Sequence, residues 1–256
     1  MSWKDLDFKK YKIEMKKIVL LFMAMIFLGG SLMAQSRAYG VKGGLTIGTQ
    51  KWEGQDQDPL FSYHGAFSIE SVSDVNSFGL FAQIGYHLKG SAWRNAQFFT
   101  LGSNSPRTLT RKFEFQNVGL TLGFKNNYKE TERFSLYYLF GIRGEYTLGT
   151  NLDEYEDQNA QFNSPIYPFD EAVRKINYGA TLGGGLQFPF TDYVSGIIEM
   201  TISPDFSDQY RQGSFTGTVY QNGTPTLRSF GERKIRNLVF EISLGFRFLH
   251  KIEYID

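Results

Sequence analysis

Histidine is scarce in this chain. There are three, His64, His87 and His250, and none falls in the long polar stretches at 50–60, 90–110, 149–175 and 204–233. Hydrolytic and acyl-transfer sites generally need a base beside a nucleophile, so those stretches are poor places to expect one. His64 and His87 sit on the polar faces of two adjacent expected strands. If the hairpin between them centres on Val75-Asn76, they lie directly opposite. Two neighbouring imidazoles could hold a metal or orient a nucleophile. The plainer reading is two interior side chains hydrogen-bonding to their surroundings. No metal is therefore expected, with His64 and His87 as the weak candidates.

Two other clusters carry chemistry on paper. Asp153-Glu154-Tyr155-Glu156-Asp157 gathers four carboxylates. Carboxylate oxygens bind calcium, but this spacing matches no calcium loop, and a solvated loop is the expectation. The glycines between Gly179 and Gly185 lack the lysine and following helix of a phosphate loop. In a strand they mark close packing or curvature. No catalytic residue and no cofactor are expected.

The elements that position these residues alternate with a period of two. Residues 238–248 place Leu238, Phe240, Ile242, Leu244, Phe246 and Phe248 on one face, and Val239, Glu241, Ser243, Gly245 and Arg247 on the other. Similar patterns occupy 39–49, 61–71, 78–89, 111–124, 134–148, 176–188 and 193–203, giving eight strands. In the fourth, the phase slips near Gln116-Asn117, which reads as a β-bulge. Short connections near 72–77, 125–133 and 189–192 alternate with the four long ones.

The N-terminus reads as an export leader. Met15-Lys16-Lys17 precedes an apolar run over 18–28 and small residues before Ala34. Residues 1–14 are either a long charged start or precede a true start at Met15, the reading preferred here. The apolar run is short for a membrane-spanning helix, and no later segment is long and apolar enough to be one. Of 27 basic and 26 acidic residues, six lysines and three acids fall in 1–34, leaving 21 and 23. That balance gives no hint of nucleic acid. There is no cysteine, hence no disulfide and no lipid-modified N-terminal cysteine.

Alternation, asymmetric connections and a leader together predict an all-β, eight-stranded antiparallel up-and-down barrel in a bacterial outer membrane, with short periplasmic turns and long external loops. Residues 1–34 are the extension and leader, 35–248 the barrel, and 249–256 a periplasmic tail. A secreted barrel with its apolar face inward is the alternative. Three features favour the membrane form: strand length, a polar face rich in glycine, and charges of both signs on it. Lys42, Glu70, Lys89, Arg143, Glu145, Glu199, Glu241 and Arg247 are expected to pair across the lumen, because buried charges need partners. Trp52 and Trp93 at the outer strand ends, with Tyr128 and Tyr193 at the inner ends, are the expected aromatic girdles. Arg107, Arg111, Lys112, Arg233, Lys234 and Arg236 flank the outer ends, where they could meet phosphates of an outer-leaflet glycolipid.

Gly40-Val41-Lys42-Gly43-Gly44-Leu45-Thr46 resembles the opening strand of the PorT-like outer-membrane β-barrel family. Phe113-Glu114-Phe115-Gln116-Asn117-Val118-Gly119-Leu120 is similar to its central strand, without the proline that members often carry near Val118 or Gly119. Tyr138-Leu139-Phe140-Gly141 and Ser243-Leu244-Gly245-Phe246-Arg247-Phe248 resemble its later and closing strands. Members usually stop at the terminal aromatic, whereas here Leu249 to Asp256 follow. The resemblance implies architecture and an association with secretion, not an activity. Eight strands leave an interior about filled by side chains. The expected role is non-enzymatic: a membrane anchor displaying loops, or a component of an envelope or secretion assembly with outer-membrane lipid around it and protein partners. A narrow ligand or ion conduit and a rim enzyme acting on lipid or peptide are the alternatives.

Overall fold

The alternating segments form long strands that close on themselves. The computed structural model describes residues 36–52, 57–72, 77–98, 107–131, 133–157, 159, 167–221 and 224–251. The expected leader and start at Met15, the hairpin centre at Val75-Asn76, and the tail beyond residue 251 lie outside them. The strands are β1 (Ser36–Trp52), β2 (Asp58–Val72), β3 (Phe78–Phe98), β4 (Arg107–Glu130), β5 (Ser135–Thr150), β6 (Ile176–Pro189), β7 (Val194–Pro204), β8 (Tyr210–Gln212), β9 (Phe215–Gln221), β10 (Thr224–Phe230) and β11 (Arg233–His250). The eight long ones pair antiparallel in chain order, and β11 returns to β1. That seam runs unbroken from Arg37 opposite His250 to Trp52 opposite Ile235. Closure leaves no unpaired edge within the hydrocarbon. Leu249 and His250, expected in the tail, belong to this ladder.

The two faces separate as alternation requires. Val41, Leu45, Phe67, Ile84, Ile142, Met200, Leu244 and Phe246 are exposed on the outside. Thr46, His64, Lys89, Thr121, Arg143, Glu199 and Glu241 are buried inside. The apolar face is thus the outer one, which water would not tolerate over so large an area and lipid would. Leu244→Arg is expected to cost about 2–4 kcal/mol near the bilayer midplane. Urea unfolding in lipid vesicles measures it, and an unchanged midpoint would contradict a lipid-facing position.

The ladders shift register at four places, and two of these shape the wall beside the lumen site. β4 does not slip at Gln116-Asn117: its register with β3 is continuous from Phe78/Asn126 to Trp93/Arg111. The extra residue is Leu148 on β5, since Gln116 faces Gly149 and Asn117 faces Thr147. The apparent phase change arises because Phe113 and Phe115 point inward. The second irregularity lies between Pro59 and His64, where β2 leaves its ladder with β3. Gly90, opposite this bend, has φ +156°. A Cβ there would strike the Phe113 carbonyl oxygen, so only glycine fits without strain. Leu88, expected on the lipid face, is buried at the same bend.

The long connections are not plain loops. β3 and β4 extend to Phe98 and Arg107, consuming most of 90–110. The β5–β6 connection turns through two 3-10 segments, Leu152–Tyr155 and Asp170–Ala172. The connection before β11 contains β8, which pairs with Arg233–Ile235, and the separate β9–β10 hairpin.

Candidate functional site

The lumen is filled in layers from the short-turn end to the long-loop end. At the short-turn end, Lys125 Nζ donates to both Glu70 oxygens (3.0 and 3.2 Å), and Arg247 Nε donates to Glu70 Oε2 at 3.0 Å. The Lys125 ammonium also lies 3.9 Å from the centre of the Tyr137 ring, a cation–π contact. Tyr137 packs with Phe81, Leu139 and Ile197 in a small buried apolar cluster. Its hydroxyl donates to Glu199 at 2.9 Å, and Lys42 donates to the other Glu199 oxygen.

The histidines occupy the next layer. His64 and His87 are register partners, as expected, and their rings stack 5.9 Å apart at 11°. Rings stacked face to face cannot aim two nitrogen lone pairs at one ion. Three of the four nitrogens are also engaged. His64 Nε2 meets Ser243 Oγ at 2.8 Å and Nδ1 meets Thr46 Oγ1 at 3.0 Å, while His87 Nδ1 meets Glu241 at 2.6 Å. Among the described residues no group of three His, Cys, Asp or Glu side chains is placed to hold a metal. Both imidazoles thus stand in a hydrogen-bonded stretch of the lining.

Above them lies the densest ion cluster. Lys89 Nζ donates to Glu145 at 2.5 Å and to Asp205 at 3.5 Å. Arg143 donates to Asp205 at 2.5 Å and lies 3.1 Å from Glu145. Asn237 Nδ2 donates to the second Asp205 oxygen at 2.8 Å. Among the described residues of these layers, Lys42, Lys89, Lys125, Arg143 and Arg247 pair with Glu70, Glu145, Glu199 and Asp205, while Glu241 is met by His87. All eight residues expected in this lining face inward. Lys125 and Asp205 are additional, one and two residues past the expected strand ends at 124 and 203. A layer of amides follows. Gln209 and Thr147 both donate to Asn117 Oδ1 (3.0 and 2.8 Å), and Gln50 donates to Asn237 at 2.9 Å.

The long-loop end is closed by aromatics. Trp52, Phe113, Phe115, Leu152, Tyr155, Tyr167, Val173, Tyr210 and Ile235 form one buried cluster, with Trp93 packed against it. This corrects the expected outer girdle. Trp52 is 5% exposed and points inward, its indole N–H donating to Gln50 at 3.1 Å. Trp93 packs 6.1 Å from Trp52 and also against Tyr167. The outer belt is made instead by exposed Phe61, Tyr146, Tyr178 and Phe206, while Tyr128 and Tyr193 are exposed at the opposite end. Two of the expected rim cations turn to this plug: Arg111 lies over Tyr155 and Tyr167, and Arg233 over Trp52. In the acidic run, the 3-10 turn sends Tyr155 inward and leaves Asp153, Glu154, Glu156 and Asp157 exposed. Burial raises the Tyr155 and Tyr210 phenols above the usual tyrosine range.

Little space remains. Two lumen cavities measure about 10 Å³ each, roughly the room one water needs. The arrangement can hold a rigid cylinder together.

No curated protein matches the chain. Among solved structures it is similar to OprG of Pseudomonas aeruginosa at 12% identity, covering 85% of this chain and 98% of that one, with a TM-score of 0.44. It is also similar to a major outer membrane protein of Thermus thermophilus, at 14% identity over 84% and 99% with a TM-score of 0.43. Ail of Yersinia pestis, in a complex with the heparin analogue sucrose octasulfate, follows at 13% over 84% and 99% with a TM-score of 0.40. The profile of the outer membrane protein beta-barrel domain matches residues 33–201, from before β1 to well inside β7. On that match, the chain belongs to the outer membrane protein beta-barrel domain family.

Proposed function

We propose that this protein is a non-enzymatic outer-membrane anchor, exported through a cleaved leader, that presents its β9–β10 hairpin to a protein partner of an envelope or secretion assembly. One observation carries the reading: the lumen is filled by paired charges and shut at both ends, while the hairpin stands apart. The polar layers bury Lys89, Asn117 and Arg143 between two apolar clusters. Among the described residues β9 and β10 pair only with each other, and residues 225–229 are exposed throughout. A Phe215–Phe230 stack at 5.1 Å closes the base.

The filled lumen argues against a conduit. A rim enzyme is disfavoured because the His64–Ser243 contact is buried inside the barrel. The PorT-like resemblance supports a secretion setting only as an analogy of architecture.

Gly213 is exposed immediately before β9, and the natural chain has no competing thiol. Gly213→Cys is expected to react with an impermeant maleimide on intact cells, while Leu244→Cys stays shielded. Labelling of Gly213→Cys only after cell disruption would invert the topology. Deleting 215–230 should abolish co-purification of partner proteins while leaving folding and membrane assembly intact. Steady conductance of the native protein in planar bilayers would instead favour the conduit.

A further inference from the structure

The outer rim of the β1–β11 seam carries an excess of positive charge on its lipid-side face. Lys51 and Arg236 are direct register partners across the seam. Both are exposed, and both have the outward parity of Leu45, Ile47, Leu238 and Phe240. Like charges directly opposite on neighbouring strands repel. One step further out on the same face, Lys234 is the register partner of Arg211. Their inward neighbours Ile235 and Tyr210 are fully buried, which fixes the two cations on the outer side.

Only part of this charge is answered. Arg236 Nε donates to Asp208 at 2.6 Å, while Arg211 and Lys234 share Glu232 at 2.8 and 2.7 Å. Lys51 has no acidic partner among the described residues. Among the described residues, four cations therefore face two carboxylates, an excess of two positive charges. The patch sits at the top of the apolar band, at the height where lipid headgroups meet the barrel.

We infer that this seam patch binds a phosphate monoester on the headgroup of an outer-leaflet glycolipid, bridging Lys51 and Arg236. A monoester carries nearly two negative charges and several strong acceptor oxygens. It therefore matches the excess in a way a singly charged diester does not. The acyl chains of the same molecule would lie along Ile47, Leu238 and Phe240 directly below. The rim cations then fall into two groups. Arg111 and Arg233 hold the aromatic plug, whereas Lys51, Lys234 and Arg236 face the lipid. The site is independent of whether the hairpin has a protein partner.

The test uses the full mature chain in nanodiscs of phosphatidylcholine. The discs are doped with bisphosphorylated lipid A, with dephosphorylated lipid A, or with phosphatidylglycerol at equal charge. Lipid retention is read by native mass spectrometry and stability by the thermal midpoint. Bisphosphorylated lipid A should be retained and should raise the midpoint, the dephosphorylated form should do neither, and phosphatidylglycerol should have a smaller effect. Lys51→Gln should weaken retention about tenfold, the loss expected for one charge-assisted contact. Lys112→Gln, an exposed outward cation on β4, should not. Equal retention of the dephosphorylated lipid would overturn the proposal, as would equal losses in Lys51→Gln and Lys112→Gln. Stabilisation of equal size by inorganic phosphate alone would make the patch an ion site and overturn the lipid assignment.

Discussion

Replacing Asp205 with alanine is expected to destabilise the barrel by about 3–5 kcal/mol, the cost of removing one partner from a buried ion cluster. Asp205 is the carboxylate that Arg143 and Lys89 share, and Asn237 holds its other oxygen. Without it, Glu145 would face two cations that are both almost fully enclosed. Solvent cannot make up the loss, because the cavities beside them hold about one water. Urea titration in vesicles, following the gel-mobility difference between folded and unfolded protein, gives the number. Arg143→Leu added to Asp205→Ala should recover part of the loss, since the pair then disappears together. Additive losses would mean that the two side chains are not coupled.

Phe113→Ala is expected to cost a similar amount, about 3–5 kcal/mol, through the cavity it opens. Phe113 is fully buried and touches most of the plug: its ring centre lies 4.9 Å from that of Trp52, 5.4 Å from Tyr155 and 6.2 Å from Tyr167. These rings come from β1, β4 and the β5–β6 connection, so one truncation loosens three elements. The same titration measures the loss. Bilayer recordings add a second readout: the variant should leak more than the native protein. Native stability with native conductance would show that the aromatics decorate the mouth and do not close it.

Alternation was enough to read the strands, their faces and the lumen lining, because a period of two assigns each residue to lipid or lumen once one neighbour is assigned. It fails where residue type and face disagree. Trp52 shares the parity of Lys42 and Thr46 and therefore points inward, yet an aromatic at a strand end invites the girdle reading. Phe113 and Phe115 mislead the same way: apolar side chains on the inner face look like a slip in phase. Lys125 was missed because β4 runs further than its apolar face does, and Asp205 because it sits just past β7 in an isolated bridge to Gly179. The β5–β6 connection has no period at all. Its inward turn depends on Leu152, Tyr155 and Tyr167 finding the mouth of a barrel already formed, which is a tertiary fact. The β8 pairing is three residues long, too short to register as a pattern.

The wall is not of even height. β3 and β4 climb past the mouth to Phe98 and Arg107, and β11 climbs with β8 beside it. In the ring order the β3–β4 pair and the β7–β11 pair stand half a circumference apart. Among the described residues the wall is therefore tallest at two opposite places, with the aromatic cluster lower between them.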